Sequence, residues 1–182
     1  MIKLSRGSDN MDNFVPDIYA KSIYTIDYNK LKKKGIKCLL FDLNNTIASM
    51  NTDYPSDKLR ELFYELGHDF KLIIISNSGK DRVRPFKEKL NVDSAYHSFK
   101  PLKRKYKKIM NVYNFKDIEI ACIGDLLITD IYGGNKMGFT TILVNSISLE
   151  EPFHNKLLRK IDNRLYKKLA KKEILFKGKY YE

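Results

Sequence analysis

Residues 37–48 read KCLLFDLNNTIA, an apolar run that stops at an aspartate and gives way to two asparagines and a threonine. Cys38, Leu39, Leu40 and Phe41 follow one another without a polar break, the pattern of a strand covered on both faces in a parallel α/β sheet. Ligand sites in such sheets lie beyond the carboxyl ends of the strands, which is where this spacing sets Asp42. A carboxylate there can hold a hard divalent cation through oxygen, or attack phosphorus and become an aspartyl phosphate. Taken by itself, Asp42 could equally cap a turn, since Asp and Asn are favoured where strands end.

The pattern recurs on the C-terminal side. Residues 72–75 form a second apolar run that ends in Ser76, Asn77, Ser78 and Gly79. A third, over 118–123, ends in Gly124 and Asp125, with a further acid at Asp130 and the pair Gly133 and Gly134 beyond it. The glycines read as packing or backbone positions. Thr140–Val144 is the last such run. Between them lie helical patterns. Ser56 can cap a helix with Leu59, Leu62, Phe63 and Leu66 on one face and Gly67 as its stop. Residues 81–90 carry Val83, Phe86 and Leu90 on one face, and a basic helix after Pro101 points Leu102, Tyr106, Ile109, Met110 and Tyr113 inward. Upstream, 14–35 is mixed, with a short helix over 27–35 ended by Gly35. Residues 95–99 read as a short extended piece leading to Lys100-Pro101, where the proline biases Lys100 away from helical geometry. Four strands alternating with helices predict a three-layer α/β fold with a central parallel sheet.

With 43% hydrophobic residues, 182 residues suit one domain, and no stretch is apolar enough to span a bilayer. The expected organisation is a single domain over 1–182, with a core over about 14–150 and a basic helix over about 152–176. The start, MIKLSRGSDNMDNF, has no apolar leader, so a cytoplasmic location is expected. Cys38 and Cys122 fall in core strands and read as packing residues in a reducing compartment. His68, His97 and His154 lack cysteine partners at zinc spacing. The net charge of +12 points to an anionic partner: a phosphorylated substrate, an acidic membrane surface or nucleic acid.

The order of motifs, FDLNNTIA, ISNSGKDRV, KPLKRKYKKIM and IGDLLITDIYGGNKMGFTTILV, resembles the haloacid dehalogenase (HAD) superfamily of phosphatases, and within it the YqeG-type subgroup related to phosphatidylglycerophosphate phosphatases. The resemblance implies a Rossmann-like HAD fold and a phosphatase that uses magnesium (Mg2+). It implies Asp42 as nucleophile and metal ligand, the backbone carbonyl of Asn44 as a second ligand, and Asp125 and Asp130 as further ligands. Ser76 would hydrogen-bond a phosphoryl oxygen, Lys100 would neutralise the nucleophile and the transferring group, and Asn45, Thr46 and Asn77 would contact substrate. Outside that resemblance, Ser76 and Asn77 could simply close a turn, and Lys100 could be one solvated cation among 34 lysines and arginines.

Asn44 departs from the pattern. Phosphatases of this kind carry an aspartate two residues after the nucleophile, which protonates the leaving oxygen and then activates water. Asparagine cannot transfer a proton at neutral pH, so a factor of roughly 10²–10⁴ from acid–base catalysis would be missing. The alternative function is therefore a weakened relative that binds a phosphorylated ligand. The short spacings between motifs leave no room for a large cap domain, which favours bulky substrates such as a lipid phosphate. After Pro152, Phe153, Leu157, Leu158, Ile161, Leu165 and Leu169 recur at helical spacing beside eight lysines and arginines. That helix could lie on an anionic membrane, or pack its apolar face on the domain. Nucleic acid ranks third, since no binding motif or aromatic cluster accompanies the charge.

Overall fold

The structure is a computed structural model that describes residues 11–148 and 153–182, with side chains described from Lys156 onward in the last helix. The readings made on the first ten residues and on Phe153 lie outside it. In chain order the elements are β1 (Ile18–Ala20), α1 (Tyr28–Lys33), β2 (Cys38–Phe41), α2 (Asp57–Leu66), β3 (Lys71–Ile75), α3 (Lys80–Leu90), β4 (Asp93–Ala95), α4 (Lys103–Tyr113), β5 (Ile120–Gly124), α5 (Tyr132–Met137), β6 (Thr140–Val144) and α6 (Phe153–Lys171). All six strands pair in parallel, in the order β1-β6-β5-β2-β3-β4.

The apolar run that decides the fold is covered on both sides, as expected. Leu39 and Phe41 face one layer, where Leu59, Phe63 and Leu66 of α2 and Val83 and Phe86 of α3 pack. Cys38 and Leu40 face the other, against Tyr106 and Ile109 of α4 and Phe139. Because successive strand residues point to opposite faces, only a run without polar positions can fill both layers. Both cysteines are free and buried, and burial pushes each thiol up to about 12, as suits packing residues.

Four departures from the sequence reading have local causes. The sheet has six strands rather than four, because β1 and β4 are three-residue edge strands too short to show a period. The extended piece expected over 95–99 lies earlier, at Asp93–Ala95, and His97 and Phe99 instead take left-handed backbone with φ of 45° and 52°. Leu102 does not point inward: it precedes the first turn of α4 and is 61% exposed. Ile118 is likewise exposed, in a short 3-10 turn ahead of β5.

The strand order sets the site. From β2 the chain builds outward through β3 and β4, then returns to add β5 and β6 on the other side. The switch point lies between β2 and β5, and an open parallel sheet leaves its ligand crevice at the carboxyl ends of the strands there. A single helix, α2, lies between β2 and β3, and α3 alone lies between β3 and β4, so no large cap covers this end among the described residues. None of the described helices is long and apolar enough to cross a membrane.

Candidate active site

Asp42 follows β2, Ser76 follows β3 and Asp125 follows β5, so three parallel strands deliver their polar ends to one place. They line a cleft of about 320 Å³ with Asn44, Asn45, Met50, Asn77, Ser78, Lys100, Thr129, Asp130, Leu158 and Arg159. A larger cleft of about 670 Å³, lined by Gly67, Lys71 and Asn91 among others, lies at the opposite end of the sheet.

Asp42, Asp125 and Asp130 are buried, and each offers a carboxylate oxygen within 4.8 Å of the others. Lys100 Nζ donates to Asp42 Oδ1 and to Asp130 Oδ1, both at 2.6 Å. Asp130 is fixed from its other oxygen, which accepts from the Leu126 backbone and the Thr129 hydroxyl at 3.2 Å. A turn of π-helix over Leu127–Ile131 carries it back over β5. Gly124 makes that possible: a Cβ there would sit 2.3 Å from Asp130 Cγ. Gly133 and Gly134 have the packing role expected of them, against the Tyr106 hydroxyl and against Thr141 and Cys122.

The remaining residues named from the sequence gather here too, several as braces. The Thr46 hydroxyl donates toward Asp42 Oδ2 at 3.1 Å and Asp125 Oδ1 at 3.3 Å. Asn45 takes left-handed backbone with φ 61°, and its carbonyl accepts from Ile147 N. Asn77 spends its side chain on Lys100, accepting from its backbone N–H at 2.6 Å and donating to its carbonyl at 3.2 Å. Ser76 accepts from Ser78 N at 3.1 Å. Its side chain lines the cleft. Asn44 donates from Nδ2 to the Ser78 hydroxyl at 2.7 Å and accepts from Arg82 Nε at 3.0 Å. Arg82 also donates to the carbonyls of Ser49 and Thr52, tying the β2–α2 loop to α3.

Three acids and two cations share this buried place, the second cation being Arg159. Arg159 donates from Nη2 to Asp125 Oδ2 at 2.6 Å and to Ser146 Oγ at 2.9 Å, and Ser146 itself donates to Asp125. Burial pushes the Asp42 carboxyl up; Lys100 pulls it down and the two neighbouring aspartates push it up again, to about 7. Burial also raises Asp125, against the pull of Arg159. Burial disfavours the charge on Lys100, yet Asp130 and Asp42 outweigh it and hold its pKa above the usual lysine range. The lysine thus stays charged, while Asp42 keeps its proton to higher pH than an ordinary carboxyl. An oxygen-only set of three close carboxylates, one negative charge in excess, fits a small hard divalent cation such as magnesium.

Sequence reasoning missed Ser146, Arg159, Ser78 and Arg82. Ser146 lies two residues past β6, so the carboxyl-end rule that found Asp42 could have found it. Arg159 is 34 residues from Asp125 and counted as part of a basic helix face. The helix itself packs on the domain: Leu169 is fully buried with Leu127, Ile131 and Leu143, and Leu165 lies against them. Asp162, on the same helix, accepts from Ile128 N at 3.0 Å.

Comparison with known proteins gives the family and the fold. The family model for mitochondrial PGP phosphatase matches residues 3–148. The probable phosphatase YqeG of Bacillus subtilis is 32% identical over 160 residues, covering 87% of this chain and 93% of that protein. The chloroplastic and mitochondrial phosphatidylglycerophosphate phosphatase 1 of Arabidopsis thaliana is 26% identical over 171 residues; the match takes in 87% of this chain but 49% of that longer protein. Among solved structures, a HAD-like hydrolase of Porphyromonas gingivalis overlays with a TM-score of 0.52 at 13% identity, over 69% of this chain and 98% of that one. A cobalt-bound deoxy-D-mannose-octulosonate 8-phosphate phosphatase of Haemophilus influenzae gives 0.50 at 12% identity, over 79% and 95%. The structural likeness carries the HAD fold, and the family and YqeG matches carry the rest: this chain belongs to the PGP phosphatase family and is a YqeG-type phosphatase of the HAD superfamily.

Proposed function

We propose that this phosphatase is magnesium-dependent, works through an aspartyl phosphate on Asp42, and takes a bulky phosphomonoester, with phosphatidylglycerophosphate first among candidates. The observation that carries the reading is Asp42 itself: buried at the switch point, 2.6 Å from Lys100 and within ligand reach of Asp125 and Asp130, in a cleft that no large cap covers among the described residues. An Asp42 oxygen attacks phosphorus while the bond to the leaving oxygen breaks, that oxygen taking its proton from solvent water; water then attacks phosphorus of the acyl phosphate, loses a proton to solvent, and releases phosphate with Asp42 returned as carboxylate. Lys100 balances charge on Asp42 and on the phosphoryl group, and the Ser76 hydroxyl donates to a phosphoryl oxygen. Thr46 and Asn77 hold Asp42, Asp125 and Lys100 in register, with Asn45 shaping the loop. Asp42, Asp125, Asp130 and the Asn44 carbonyl would hold magnesium, which when bound would supply further charge neutralisation at the phosphoryl oxygens. The reading takes residues 1–182 as one domain of a cytoplasmic protein working at an anionic membrane face, supported by the net charge of +12 and by the lipid named for the Arabidopsis relative.

A second reading, a weakened enzyme that holds a phosphorylated ligand, has its own observation. The Asn44 amide is clamped between Ser78 and Arg82 and has no proton to transfer. Phosphate release from an aryl and an alkyl phosphate with magnesium, beside an Asp42→Ala control, separates the two. The first reading expects turnover of both, lost in the control. Binding of phosphate without release from either substrate favours the second.

A further inference from the structure

Large apolar side chains left in solvent stand on the segments that carry the cleft's residues or follow the same strand ends. Phe99 and Leu102 flank Lys100-Pro101 and are 66% and 61% exposed. Leu157, also 66% exposed, precedes Leu158 and Arg159, which line the cleft. Ile147 adjoins Ser146, and Tyr54 stands on the β2–α2 loop that Arg82 ties down; both are exposed. These five come from three stretches that follow parallel strands: Tyr54 after β2, Phe99 and Leu102 after β4, and Ile147 and, within α6, Leu157 after β6, so topology gathers them on the face where the site opens. Burial elsewhere does not account for them. Of the C-terminal helix, Leu165 and Leu169 pack against the domain, which leaves Leu157 turned outward at the site's edge.

Cations accompany the apolar ring. Lys103 and Arg104 start α4 directly after Leu102, and Lys156 and Lys160 stand on either side of Leu157 to Arg159; all four are exposed. Among the described residues Asp53, beside Tyr54, is an opposing charge. Apolar side chains interspersed with lysine and arginine match the boundary between acyl chains and anionic headgroups, where the apolar groups bury and each cation near the surface adds attraction.

We propose that this rim docks the protein on an anionic bilayer, with Phe99, Leu102, Leu157, Ile147 and Tyr54 entering the headgroup boundary and the cleft facing the membrane. The proposal rests on the reading of the cleft as a phosphatase site open to lipid phosphates. It assigns membrane contact to the site's rim, to which the C-terminal helix contributes Leu157, while Leu165 and Leu169 of the same apolar stripe are used in packing.

The test is co-sedimentation with phosphatidylcholine vesicles containing or lacking phosphatidylglycerol, run beside hydrolysis of a soluble aryl phosphate. The parent protein should bind the anionic vesicles, more weakly as salt rises. Combined Phe99→Ser, Leu102→Ser and Leu157→Ser should lower that partition at least about tenfold, with aryl phosphate turnover and melting temperature unchanged. Leu157→Ser alone, on a different element from the other two, should give part of the loss. Val112→Ser with Ile118→Ser, equally exposed but at the other end of the sheet, should bind as the parent does. Equal binding by the triple variant, or equal loss in the remote pair, would overturn the proposal. So would self-association of the parent that the triple variant abolishes without any vesicle binding, since a second copy would then cover the rim. Vesicle binding through the rim with no aryl phosphate hydrolysis supports the surface and overturns the phosphatase reading, whereas hydrolysis without vesicle binding overturns the surface alone.

Discussion

Lys100→Met keeps most of the lysine's apolar stem and removes its charge from between Asp42 and Asp130. The lysine side chain is 2% exposed, and those of Asp42 and Asp130 are 11% and 1% exposed, so solvent screens little of the loss. Removing one partner of a buried ion pair costs about 3–5 kcal/mol, because the remaining charge is left uncompensated. For a chain of this size each kcal/mol lowers the melting temperature by about 2–4 °C, which gives a drop of roughly 6–20 °C. The drop should depend on pH. Asp42 has its folded pKa raised from 3.8 to about 7, so in that window the folded protein holds a proton that the unfolded chain has released, and stability falls as pH rises. Without Lys100 that carboxyl moves higher still, so the deficit should be largest at pH 8 and shrink by pH 5, where Asp42 is neutral. Magnesium should raise the melting temperature more in the variant than in the parent, since it replaces the missing charge. Thermal melts at both pH values, with and without millimolar magnesium, make the measurement. A deficit unchanged by pH and by magnesium would refute the reasoning and reduce Lys100 to a packing residue.

Asn44→Asp should keep the hydrogen bonds to Arg82 and Ser78, the latter with its hydroxyl reversed, but Arg82 will hold the new carboxylate ionised, making it a better base than acid. Steady-state turnover of an aryl phosphate should therefore rise at least about tenfold, with a smaller gain for an alkyl phosphate at neutral pH; equal activity in both proteins would show proton transfer by another residue. Gly124→Ala drives a methyl into Asp130 and should destabilise the fold by about 1–3 kcal/mol while abolishing magnesium-dependent stabilisation; an undiminished magnesium response in calorimetry would count against Asp130 as a ligand. Burial pushes Asp162 from 3.8 to about 7, so its charge costs stability as pH rises through that window. Asp162→Asn keeps an acceptor for Ile128 N and should be more stable than the parent at pH 8, with the gain fading toward pH 4; a gain independent of pH would refute the assignment.

The parts of this fold that the sequence announces are those whose local pattern is also their tertiary role. KCLLF reads as a doubly covered strand because both its faces are apolar, and Asp42, Ser76 and Asp125 are legible because each directly follows such a run. Lys100 was legible through its proline, though its partners were not, since nothing local says that a lysine will reach carboxylates 58 and 30 residues away. Edge strands β1 and β4 gave no signal at three residues each. Leu102 misled because its helical spacing from Tyr106 is genuine but stops one residue before the helix begins. Arg159 needed the three-dimensional path of α6, and so did the separation of that helix's apolar stripe into residues that pack and one that faces solvent.

Asp42 as nucleophile is the central assignment. Acid-quenched reaction of the parent with an aryl phosphate and magnesium, followed by peptide mass spectrometry, should find a phosphoryl group on Asp42. That species should accumulate because Asn44 cannot serve as the base for its hydrolysis, and it should decay faster in Asn44→Asp. Phosphate release that persists in Asp42→Ala, or a phosphoryl group on any other residue, would contradict the account.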